Sequence, residues 1–183
     1  MKCIAILLLL IRTIVPVSAQ DPAAFRFKGL ALGVSEGQFI DLHIKAAVSE
    51  LSDRKSGIVI YKSTAEDSSP KNSTYLFLDG LLIRIDAVYS KEELDQIGGI
   101  DILIARLIER LGKPSASNTL NGHQVGNTIF LNDAFWDFDD LHHAFSISLR
   151  LVNNVPSALF YATDSHGWDE YNKRKAKHAD TGF

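Results

Sequence analysis

A chain of 183 residues with 46% hydrophobic residues, one cysteine and a formal charge of −3 is long enough to bury one sizeable core and too short for several domains. The first nineteen residues, MKCIAILLLLIRTIVPVSA, join a basic Lys2 to an apolar run from Ile4 to Ile11, a break at Pro16, and Val17 and Ala19 at positions −3 and −1 of a cleavage site. This is the form of a secretory signal peptide cut after Ala19. Cleavage removes Cys3, Lys2 and Arg12, leaving a cysteine-free chain with 17 basic and 22 acidic residues, a charge of 17 − 22 = −5, which excludes disulfides and argues against a nucleic-acid partner.

The apolar run is far shorter than the roughly 20 residues that cross a bilayer, and no later stretch approaches that length. The mature chain is therefore expected in the periplasm or outside the cell, without a transmembrane anchor. Asn72-Ser73-Thr74 fits the glycosylation sequon, which matters only in a host that modifies exported proteins.

The elements follow from local signals. Ser35 and Gln38 form a capping box, and Phe39, Leu42, Ala46 and Ala47 recur at helical spacing, which predicts a helix over 36–51. Strands are expected at 57–63, 73–79 and 81–89, the last two joined as a hairpin by Asp79-Gly80, because a type I′ turn needs positive φ at both central residues. Ser90 and Glu93 open a second capped helix, with an apolar stripe from Leu94 through Ile97, Ile104 and Leu107 to Leu111. Gly98-Gly99 predicts a kink or a division into two short helices, and Gly112 and Pro114 end it.

Further strands are expected at 125–132, 143–152 and 155–163, with Asn153-Asn154 turning between the last two. The middle strand alternates Phe145, Ile147, Leu149 and Leu151 with Ser146, Ser148 and Arg150, the pattern of an antiparallel sheet with one solvated face. From Asp164 a short terminal helix carries Trp168, Tyr171 and the solvated basic run Lys173 to His178. The expected class is α+β: an antiparallel sheet of about six strands with helices packed on one face. Its two helix starts, at Ser35 and Ser90, suggest two α-β-β-β units, 25–89 and 90–183, within the single domain 20–183.

FKGLALGVS at Phe27–Ser35, FLDGLLIRI at Phe77–Ile85 and ERLGKP at Glu109–Pro114 resemble a loose group of exported bacterial domains. That group is similar to the fold shared by the small outer-membrane-assembly lipoproteins and the beta-lactamase inhibitor protein. The shared positions are structural, with Gly29 and Gly33 in turns and Ser35 as a cap, so the resemblance implies a protein-binding module and carries over no catalytic residue. The lipidated cysteine of the assembly lipoproteins has no counterpart in the mature chain.

Chemistry-bearing motifs are sparse. WDFDDLHH at Trp136–His143 places Asp139, Asp140, His142 and His143 close together, and a zinc site would need three such ligands on rigid elements with an open fourth position. The third would have to come from His123, His166, Asp169 or His178, none at a recognisable spacing. The octet reads better as a polar turn, with Asp139 and Asp140 solvated and His142 and His143 starting a strand. Asp164-Ser165-His166 is too contiguous to be a catalytic triad and reads as a helix cap. There is no G-x-S-x-G, and LGVSEG at Leu32–Gly37 lacks the lysine of a phosphate loop.

Aromatic residues concentrate late in the chain, and Trp136 and Phe138 are expected in the core, with Trp168 and Tyr171 in core or interface alike. If helices cover one face only, Tyr75, Arg84, Asp86, Ser146, Ser148, Arg150 and Trp168 become candidates to line an open face. The reading is an exported, non-enzymatic module without a cofactor, binding a protein partner in the envelope or outside the cell as an inhibitor, immunity protein or assembly factor. Its rivals are a metal-dependent hydrolase using Asp139, His142 and His143, and a carrier for a small apolar ligand held between helices and sheet.

Overall fold

The computed structural model describes residues 22–42, 46–63, 69–125 and 128–180, so the signal-peptide segment 1–19 lies outside it. The elements are α1 (Glu36–Asp41), β1 (Ala47–Val48), β2 (Ile58–Ser63), β3 (Asn72–Leu78), β4 (Leu81–Tyr89), α2 (Lys91–Ile97) and α3 (Ile100–Leu111). There follow β5 (Ala116–Val125), β6 (Thr128–Phe138), β7 (His143–Val152), β8 (Val155–Asp164) and α4 (Ser165–Asp180). No described helix is long and apolar enough to cross a membrane.

The class is α+β, built on one antiparallel sheet with the order β1-β2-β3-β4-β8-β7-β6-β5. Each half is a helical segment followed by four strands in chain order, and the two meanders meet at their last strands, where Asp86 of β4 lies opposite Tyr161 of β8. Each half is therefore one strand longer than the expected α-β-β-β unit.

Local signals account for the turns. Asp79 and Gly80 take φ of 51° and 80°, and Asn153 and Asn154 take 51° and 64°, as type I′ hairpins require. Ser35 Oγ accepts the Gln38 amide while the Gln38 side chain accepts the Ser35 amide, and Ser90 and Glu93 repeat the arrangement at α2. Gly98 and Gly99, both at positive φ, divide the second helical stretch into α2 and α3. Phe27 and Leu30 exchange backbone hydrogen bonds of 2.8 and 2.9 Å across Lys28-Gly29, so FKGLALGVS is a tight turn hooked onto β4 through Gly33 N–H and Leu82 O at 2.8 Å.

Three expectations are corrected. The first helix does not run to residue 51: it ends at Asp41, and Ala47–Val48 pair with Tyr61 and Lys62 of β2, because the edge of β2 offers backbone partners that outweigh a weak helical pattern. The stretch 125–132 is not one strand but is divided between β5 and β6, whose residues Val125 and Thr128 pair. The sheet has eight strands rather than about six, since β1 and β5, ASNTLNGHQV, lack the apolar alternation that marks a strand and are held by ladder hydrogen bonds to their neighbours.

Helices also lie on both faces. On one face Val59, Tyr61, Tyr75, Phe77, Leu82, Ile85, Trp136, Phe145, Ile147 and Phe160 join Phe39 of α1, Leu94 of α2 and Leu103, Leu107 and Leu111 of α3 in the main core. On the other, the alternate residues Ile58, Ile60, Leu76, Leu78 and Ile83 form a second cluster beneath Trp168 and Tyr171 of α4. A helix on the second face was not expected because α4 has no continuous apolar stripe; two aromatic rings anchor it.

Candidate functional site

The second face is only half covered. The apolar patch under α4 belongs to β2, β3 and the start of β4, and beyond it β4, β8 and β7 carry Asp86, Tyr161, Ser146, Ser148 and Arg150 in neighbouring register, Ser146 itself being buried. Tyr161 pairs with both Asp86 and Ser146, while Ser148 pairs with Leu159 and Arg150 with Ser157. The alternation of β7 is what places Ser146, Ser148 and Arg150 together, opposite the fully buried Phe145 and Ile147.

Arg84 marks the boundary between α4 and the bare face. A bulge lies opposite the Leu76–Phe77 step, so that Leu82 pairs with Phe77 and Arg84 with Leu76, and Ile83 is left over; Ile83 and Arg84 then both serve the α4 side. The Arg84 guanidinium lies 4.3 Å from the Trp168 ring and 4.7 Å from the Tyr161 ring. Its Nη2 donates to Asp86 Oδ1 at 2.7 Å, its Nε donates to the same carboxylate, and Nη1 donates to Thr163 Oγ1 at 3.2 Å. Every donor edge is used and both planes are covered, so Arg84 is a structural clamp rather than a free cation.

Arg150 differs. It is half-buried, its Nε is buried without a hydrogen-bond partner among the described residues, and burial pushes its guanidinium below the ordinary arginine value while Asp86 pulls the other way. A buried cationic donor left unpaired costs stability in the isolated protein.

The structure thus brings Arg84, Asp86, Ser146, Ser148, Arg150 and Trp168 to one face and adds Tyr161 and Thr163, which the sequence pattern did not single out. Tyr75 is a correction: it is 0% exposed and packs against Phe39 at 5.0 Å between ring centres. Its strand, β3, carries its polar and apolar residues out of step with the sheet faces, so period alone assigned it to the wrong side. Asn72 of the sequon is exposed at the start of β3, whereas Ser73 is buried.

The histidine octet falls in three pieces. Trp136 to Phe138 end β6, with Trp136 0% exposed and its Nε1 donating to Gly112 O at 2.8 Å. Asp139–Leu141 form a 3-10 turn, and His142 follows in the left-handed region with φ of 53°. His142 stacks on His166 at 3.9 Å, while His143 begins β7 and turns toward Phe145, where burial holds its imidazole below the ordinary histidine value, opposed by Asp164. No three His, Asp or Glu side chains converge on a metal position among the described residues. Asp164 accepts the Gly167 amide at 3.0 Å and caps α4, and Arg174, within the basic run, donates to both carboxylate oxygens of Asp79 at 2.8 and 2.7 Å.

No family model, curated protein or solved structure matches this chain.

Proposed function

We propose that this protein is a non-enzymatic binding module whose bare sheet face receives a protein partner in the cell envelope or outside the cell, with an acidic side chain of the partner meeting Arg150. The observation that carries this reading is Arg150, half-buried, with its Nε buried and without a hydrogen-bond partner among the described residues, on a face that also carries Asp86, Ser148, Leu159 and Tyr161. A carboxylate from a partner would neutralise the half-buried guanidinium in a charge-assisted contact. Tyr161, stacked on Arg84 and opposite Ser146 in the ladder, offers an aromatic anchor on the same face, of the kind that concentrates binding energy at interfaces. The resemblance of Phe27–Ser35 and Phe77–Ile85 to exported bacterial binding domains supports the same class.

The test is a photo-crosslinking residue introduced at Ser148, on the bare face, with Ile108 on the exposed side of α3 as control, in cells that make the protein. One discrete crosslinked species is expected from position 148, absent from position 108 and lost when Arg150→Glu is added. No species at position 148, or the same pattern from both positions, refutes the reading.

A further inference from the structure

On the opposite side of the sheet, the segment 25–28, Ser69, α3, the end of β4 and Phe160 of β8 line a cleft of about 270 Å³. Its floor is apolar: Phe27 stacks on Phe160 at 5.4 Å, and Leu103 and Leu107 of α3 close one wall. Its rim carries Arg26, Lys28, Arg106 and Arg110 against the single acid Glu109.

We propose that this cleft binds a single-chain amphiphilic anion, with the hydrocarbon on the aromatic floor and the acidic head group between Arg106 and Arg110. Arg54, Arg84 and Arg174 each pair with a carboxylate, whereas Arg106 and Arg110 are exposed and form no ion pair among the described residues. They stand one helical turn apart, where like charges repel by a few tenths of a kcal/mol; an anion shared between them removes that repulsion. Tyr89 lines the same cleft and its hydroxyl has no hydrogen-bond partner among the described residues. Burial, reinforced by Glu93 and opposed by the two arginines, pushes that phenol up to about 12, so it stays a neutral donor at any physiological pH. The volume lies just below the ~300–1,000 Å³ of ordinary small-molecule sites, which suits one short chain and excludes a two-chain lipid.

Head groups of this kind come as carboxylate or as phosphate, and calorimetric titration of the purified protein with decanoate and with decyl phosphate, below their micelle concentrations, compares the two. Saturable one-to-one binding of at least one is expected, with 1-decanol and decyltrimethylammonium weaker by about tenfold or more; the tighter anion identifies the head group. The exposed pair Arg106→Gln with Arg110→Gln should weaken the anion by about tenfold and leave decanol unchanged, while Glu109→Gln should tighten it. Absence of saturable anion binding, equal affinity for alcohol or cation, or undiminished binding by the double variant overturns the proposal.

Discussion

Arg84 and Trp168, 84 positions apart in the chain, meet face to plane at 4.3 Å, and through that contact α4 is fastened to the seam where the two meanders join. Tyr161 covers the other plane of the guanidinium and Asp86 holds its edge. A double-mutant cycle of Arg84→Met and Trp168→Leu in urea unfolding should therefore show a coupling of about 0.5–2 kcal/mol. Strict additivity would mean that the stacking carries no energy of its own.

Gly167 sits on α4 directly over Ile83. A Cβ at Gly167 would come within 2.5 Å of Ile83 Cγ2 and 2.9 Å of its Cβ, so helix and sheet approach here more closely than any larger residue allows. Glycine to alanine normally stabilises a helix interior by about 1 kcal/mol, but Gly167→Ala should instead destabilise by about 1–3 kcal/mol. The loss should shrink in an Ile83→Ala background, as thermal melts of the four combinations would reveal.

Acid should loosen α2. Glu93 is 4% exposed and accepts the Lys71 amide at 2.7 Å and the Ser90 amide at 2.8 Å. Burial alone would raise its carboxyl pKa, yet these donors, with the Ser90 and Ser69 side chains, outweigh it and leave the value below the ordinary one. A depressed folded value means the stabilisation is fully present above about pH 4.3, the unfolded value, and is lost as the pH falls through the folded one. Glu93→Gln should cost about 1–3 kcal/mol at pH 7 and flatten the pH dependence of urea midpoints below pH 5; an unchanged slope would show that the carboxylate does not act this way.

Arg150 should separate binding from folding. Because its Nε is buried without a partner among the described residues, Arg150→Met keeps the side-chain stem and removes an unmet donor, so the free protein should keep its melting temperature or gain up to about 1 kcal/mol. The same variant should abolish the crosslink from position 148. A loss of stability with the crosslink intact would make Arg150 a structural residue.

What the sequence determined by itself was everything settled within a few residues along the chain. The two capping boxes, the type I′ turns at Asp79-Gly80 and Asn153-Asn154, the break at Gly98-Gly99 and the inward face of β7 all depend on local dihedrals, on hydrogen bonds spanning three or four positions, and on a period of two. Trp136 and Phe138 were placed in the core for a related reason, that aromatic bulk seeks burial, and Trp136 found its partner in the carbonyl of Gly112.

The tertiary structure decided the rest. β1 and β5 exist because neighbouring strands offer them backbone partners, a preference no apolar pattern in AV or ASNTLNGHQV announces. Whether Tyr75 faced water or core turned on which face of β3 Phe39 of α1 came to cover, and whether Arg84 was free or clamped turned on the bulge at Ile83 and on where α4 came to rest. The cleft between residues 25–28 and α3 joins side chains from five separate parts of the chain. Such arrangements rest on contacts between residues distant in sequence, whose energies appear only once the whole chain has packed, and so local pattern cannot carry them.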